Sequence, residues 1–200
     1  MSTKATWSGR HFELNMSFAT LRDSQWTRLI NVLWEDNRLE GPFVSRFVPG
    51  EPRPEKVDIQ YPAPTATYTQ HGLLVLGEKQ IGVDILVTRS LFECISMIVP
   101  SGMFGPSIED LSLIAVHETY KALALQLYQT VAFEIASIGW NRDCQLLGEL
   151  LSDKAARDKF LKMGNFLAQD GVLKALGVSA STYMEAMPGI RWAPPLIYPD

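Results

Sequence analysis

Residues 71–100, HGLLVLGEKQIGVDILVTRSLFECISMIVP, constrain the fold more than any other stretch of this chain. They hold three apolar, β-branched runs. Gly77-Glu78-Lys79-Gln80 separates the first two, and Thr88-Arg89-Ser90 separates the last two. Apolar runs with short polar breaks read as an antiparallel meander. The best-specified part of the sequence therefore describes a sheet and not a reaction centre.

The remaining segments fit around that sheet. Phe12, Leu14, Met16 and Phe18 alternate with Glu13, Asn15 and Ser17, so Arg10–Phe18 reads as a half-buried strand. Trp26, Leu29, Ile30 and Leu33 recur at helical spacing, and Ser24 is placed to cap a helix reaching Trp34. Six prolines between Pro42 and Pro64 leave room only for short edge strands, at Phe43–Val48 and Val57–Tyr61. Thr65–Gln70 leads as a strand into the meander. Ser107-Ile108-Glu109-Asp110 carries a helix-start signature, and Ile108, Leu111, Ala115, Ala122 and Leu125 mark one face of a helix to about Tyr128.

Thr130–Gly139 reads as a returning strand or as a continuation of that helix. Asp143–Leu151, Lys154–Met163 and Gly171–Leu176 are helical pieces, with Gly164 and Gly177 where helix-ending glycines belong. The proline-rich end from Met187 is expected to drape over the surface, held by Trp192 and Tyr198. Strands grouped before helices argue for an α+β fold: a mostly antiparallel sheet, a long helix packed on it and a helical C-terminal region. The expectation is one domain over 1–200, with sheet and helices in 1–140 and helices in 141–200.

Two hundred residues with 46% hydrophobic and 20% charged side chains suffice for a buried core without a metal or disulfide staple. A net charge of −4 disfavours nucleic acid and anionic membranes as partners and suits a basic protein partner. Cys94, inside an apolar run, is expected to pack as a small hydrophobe, and neither it nor Cys144 is expected in a zinc site or a disulfide framework. With no apolar leader near the N-terminus, the expected compartment is the cytoplasm.

The candidate sites are sparse. His117-Glu118 lacks the second histidine of a zincin helix, because residue 121 is lysine. His11 and His71 flank strands with no nucleophile motif attached. Gly102-Met-Phe-Gly105 precedes a helix start without a dinucleotide or Walker pattern. No catalytic, cofactor or metal residues are assigned. From Glu109 to Asp153 the chain carries Glu109, Asp110, Glu118, Glu134, Asp143, Glu149 and Asp153 against Lys121 and Arg142 alone. Glu35, Asp36 and Glu40 add an acidic knot beside Trp34, an aromatic of the type favoured at binding hot spots. The predicted partner-binding residues are thus Trp34, Glu35, Asp36, Glu40, Glu109, Asp110 and Glu118.

The layout resembles that of bacterial immunity proteins that neutralise polymorphic or contact-dependent toxins. The likeness runs through Trp34-Glu35-Asp36, Gly41-Pro42, the Gly72-Leu-Leu-Val-Leu-Gly hairpin, Ile98-Val-Pro-Ser-Gly102, Phe133-Glu-Ile-Ala-Ser-Ile-Gly-Trp140 and Pro188-Gly-Ile-Arg-Trp192. It implies no catalysis. It implies a cognate toxin, tight binding by a monomer or weak dimer, and occlusion of the toxin's active site. Two other expectations stand beside it: an enzyme using His71, His117, Glu118 and Glu109, or an adaptor that pairs through strand edges near 43–61.

Overall fold

In the computed structural model, which describes residues 7–104 and 111–195, the N-terminal strand lies in the middle of the sheet. Strand β1 (His11–Phe18) pairs antiparallel with β5 (Glu93–Pro100) on one side and with β6 (Ile135–Trp140) on the other. Leu14 is thereby opposite both Met97 and Ile138. Beyond β5 lie β4 (Lys79–Arg89), β3 (Ala66–Leu76) and β2 (Leu39–Phe43). Beyond β6 lie β7 (Phe166–Gln169), β9 (Ile190–Ala193) and β8 (Met184–Met187). Among the described residues the order is β2-β3-β4-β5-β1-β6-β7-β9-β8, nine strands with every pair antiparallel.

Alternation along β1 sends Phe12, Leu14, Met16 and Phe18 to one face, as its period-two pattern requires. Helices α1 (Asp23–Glu35) and α2 (Leu111–Thr130) cover that face. Trp26, Leu29, Ile30 and Leu33 come down from α1, and Val116, Tyr120, Leu123 and Leu127 from α2. Phe12 stacks on Tyr120 with centroids 6.1 Å apart. Helix α1 begins one residue before Ser24, and Gln25 caps it by accepting the Arg22 backbone N–H at 3.0 Å. Ser107, Glu109 and Asp110, the predicted start of the second helix, lie outside the described residues.

The C-terminal region differs from its expected form of helical pieces followed by an extended end. Helices α3 (Leu147–Ser152), α4 (Lys154–Met163) and α5 (Asp170–Ala175) are present, but β7, β8 and β9 also come from this region and extend the sheet. Here the sheet is covered on both faces. Leu167, Ile190 and Trp192 join the main core, while Phe166, Ala168 and Ala193 pack into a second core with Leu150, Phe160, Val172 and Leu173. Trp192 is part of a strand and not an anchor on a draped tail; Tyr198 lies outside the described residues. Asp153 caps α4 by accepting the Ala155 and Ala156 backbone N–H groups at 2.8 and 3.1 Å, and Gly164 closes it at φ 59°.

The proline-rich stretch also departs from expectation. The edge strand is Leu39–Phe43 and not 43–48, and 57–61 forms no strand. Residues 55–57 instead run beside its end, where Val44 donates to the Glu55 carbonyl at 2.9 Å and Val57 to the Pro42 carbonyl at 2.9 Å. Those bonds occupy part of the edge that the adaptor reading needs open.

Cys94 on β5 and Cys144 after β6 are joined in a disulfide across 50 residues, which corrects the expectation of two unpaired cysteines. Cys94 faces away from the main core, in register with Ser17, and so reaches the segment that crosses this face. Disulfides typically stabilise by about 2–4 kcal/mol, chiefly by restricting the unfolded chain. Reduction, or Cys144→Ser, is expected to lower unfolding free energy by about that amount in urea titrations; an unchanged midpoint would argue against the crosslink. Tyr120 is fully buried and its hydroxyl has no hydrogen-bond partner among the described residues. Tyr120→Phe removes an unsatisfied polar atom, so it is expected to leave stability unchanged or raise it by up to about 1 kcal/mol.

Candidate functional site

The acidic knot predicted around Trp34 is not a docking surface of the expected kind. Trp34 is 8% exposed, and its ring lies against two glycines. A Cβ on Gly41 would come within 2.7 Å of that ring, too close to be accommodated, and one on Gly72 within 3.0 Å, so that the indole would have to shift by a few tenths of an ångström. Its Nε1 donates to Gln70 Oε1 at 3.0 Å. Asp36 is buried and held by Arg38 through two side-chain contacts of 2.6 and 2.8 Å. Burial pulls the Asp36 carboxyl up, but the Arg38 hydrogen bonds outweigh it and hold the group below its ordinary range. Glu40 is paired with Arg53 at 2.7 Å and with Lys56 at 3.6 Å. Glu35 is exposed. Glu118 sits 3.1 Å from His117 Nδ1, and among the described residues no hydrogen bond joins it to the Trp34 group. Glu109 and Asp110 lie outside the described residues.

The histidines fall in three settings. His117 is buried, with Nε2 2.8 Å from Asn165 Oδ1, so it braces the turn between α4 and β7. His71 Nδ1 lies 2.7 Å from Asp84 Oδ1. Arg46 donates to the other Asp84 oxygen from Nη2 at 2.6 Å and Nε at 3.0 Å. This triad closes a buried carboxylate on itself and places no hydroxyl or thiol on His71. His11 is exposed, 3.7 Å from Glu13. Among the described residues no cluster of three or more His, Cys, Asp or Glu is placed to hold a metal ion, and no helix is long and apolar enough to cross a membrane.

Two features that sequence reading did not single out lie on either side of the disulfide. The first is the tip between β4 and β5. Leu91 there is 100% exposed and Phe92 38% exposed. The tip is braced from below. Arg89 donates to the Pro62 carbonyl at 3.0 Å and pairs with Asp23, while Glu93 accepts the Leu21 backbone N–H. The adjoining residue is the disulfide-bonded Cys94. Beside the tip runs a groove of about 500 Å³ whose apolar wall includes Phe92, Leu146 and Leu147 and whose acids are Glu93, Glu134 and Glu149. Burial raises the Glu134 carboxyl above its ordinary value.

The second feature is a cleft of about 630 Å³ between β6 and α4. Arg10, Arg142, Lys159 and Lys162 line it, with Trp140 and Met163 among its apolar walls. The segment after β6 shapes it. Asn141 at φ 46° exchanges bonds with His11, its N–H donating to the His11 carbonyl at 2.6 Å and its Oδ1 accepting the His11 N–H at 3.0 Å. Buried Asn15 donates to the Arg142 carbonyl at 2.7 Å. Residues 141–149 thus wall the cleft at one end and the groove at the other.

Comparison of the chain with protein-family models, with curated proteins and with solved structures returned no match. The site's chemistry is therefore read from its own residues.

The socket around Trp34 yields a direct check. Gly72→Ala forces a methyl against the indole, an overpacking expected to cost about 1–3 kcal/mol. Thermal unfolding of this variant with wild-type-like stability would show that the Trp34 socket yields freely.

Proposed function

We propose that this chain is a non-catalytic immunity protein that binds a cognate bacterial toxin and occludes its active site. The observation that carries the reading is Leu91, an apolar side chain wholly exposed on a braced hairpin tip. An exposed leucine alone is ordinary. One on a loop whose base is tied down by Arg89 and Glu93, next to Phe92 and a groove with an apolar wall, is an anchor with less backbone freedom left to lose on binding. Glu93, Glu134 and Glu149 flank it, which suits a partner with a basic surface. The resemblance of the sequence layout to immunity proteins points the same way. The docking role predicted for Trp34 and its acids thus moves to Leu91 and Phe92, where an aromatic with an acidic rim stands at the surface.

The proposed compartment changes as well. A cytoplasmic site of action rested partly on two unpaired cysteines, and the Cys94–Cys144 bond favours an oxidising environment in its place.

The test is co-expression with the product of the adjacent gene. The expected result is a stable complex and rescue of cells from that product. Leu91→Asp is expected to weaken the complex by at least about 30-fold, roughly 2 kcal/mol, as for a hot-spot residue, with an unchanged melting midpoint. No complex and no rescue would contradict the reading.

A further inference from the structure

We propose that the cleft between β6 and α4 binds a small organic anion, its phosphate or carboxylate on Arg142 and its apolar body against Trp140 and Met163. This site is distinct from the Leu91 tip and does not depend on the toxin-docking reading.

The argument starts from how this chain uses its arginines. Arg38, Arg46, Arg53, Arg89 and Arg191 each meet a carboxylate: Asp36, Asp84, Glu40, Asp23 and Asp170 respectively. Arg142 does not. It is half-buried, and its Nη1 donates to the Met163 thioether at 3.2 Å. A thioether is a weak acceptor and carries no charge. Burial pushes the guanidinium below its ordinary value with no carboxylate to offset it. A desolvated cation without a counter-charge is costly, and an anion arriving in the cleft relieves that cost.

The surroundings reinforce the charge. Lys159 and Lys162 project from α4 into the same cleft, and among the described residues neither has a carboxylate partner. Arg10 lies over the Trp140 ring at 5.3 Å rather than on a carboxylate. Asp143 and Glu149 also line the cleft but are exposed, so four cations face two solvated acids. The guanidinium's planar fork matches a phosphate or carboxylate in two-point contact. The volume of about 630 Å³ is within the range of small-molecule sites and far larger than a bare inorganic ion needs. Trp140 and Met163 supply apolar surface for the rest of such a ligand. The backbone at Arg142 is fixed by Asn15, and the segment is tied down by Cys144, so the cleft is formed before a ligand arrives.

Isothermal titration of the full chain at low salt tests this with four probes: AMP, indole-3-acetate, adenosine and inorganic phosphate. At least one of the first two is expected to bind with a Kd below about 1 mM, and at least about tenfold more tightly than adenosine or phosphate alone. AMP alone responding identifies a phosphate ligand, and indole-3-acetate alone a carboxylate. Arg142→Gln is expected to weaken binding about tenfold or more, as loss of a charge-assisted two-point contact. The double variant Lys159→Gln/Lys162→Gln changes only exposed side chains, keeps the fold, and is expected to weaken binding several-fold. Three results would overturn the proposal: no binding of either organic anion, equal binding of adenosine or phosphate alone, or affinity unchanged in both variants.

Discussion

The structure depends on β1 being paired along both edges. A strand at the start of the chain is inserted between β5 and β6, which are separated by helix α2. Its bonds to β5 complete the meander, and its bonds to β6 provide the edge on which β7, β9 and β8 build. Its two faces do different work. Phe12, Leu14, Met16 and Phe18 enter the main core beneath α1 and α2. On the other face Asn15 holds the Arg142 carbonyl, and Ser17 is in register with Cys94, the start of the disulfide. The strand that unites the sheet therefore also positions the segment that crosses it.

That segment, residues 141–149, links the two candidate binding features. It contributes Arg142 to the cationic cleft and Leu146, Leu147 and Glu149 to the groove beside Leu91. The disulfide fastens it to β5 directly after the exposed tip. Rigid presentation of a few apolar and charged groups is what a tight-binding surface requires, because free energy otherwise lost to ordering is retained for contact. The two features differ in sign: an apolar tip with acids on one side, and on the other an arginine that meets no carboxylate among the described residues, with lysines beside it.

Much of the fold was legible in the sequence, and the reasons it stopped being so are physical. β1 was readable because its two faces differ in polarity, Phe12, Leu14, Met16 and Phe18 against Glu13, Asn15 and Ser17, and the meander because its apolar runs are broken by short polar segments. β7 and β9 were not, since Phe166-Leu167-Ala168 and Ile190–Ala193 are short, and Leu167 and Phe166 enter different cores, leaving no period to detect. The disulfide joins residues 50 apart, and neither cysteine's neighbours mark it. At the candidate site the signals misled in opposite directions. Acids beside Trp34 suggested an exposed aromatic, whereas Gly41 and Gly72 form its socket. Leu91 and Phe92 looked like a strand continuation because apolar residues ordinarily point inward. The cleft's cations, at positions 10, 142, 159 and 162, meet only through the sheet order, which no local pattern encodes.

Native-state hydrogen exchange is the most direct measurement of the constraint on which this account rests. Amides of β1, β5 and β6 are predicted to share one opening free energy, equal to that of global unfolding, because neither half of the sheet is complete without the strand between them. Exchange of β6, β7 and β9 in a separate unit of lower free energy, with β1 and β5 still protected, would contradict it.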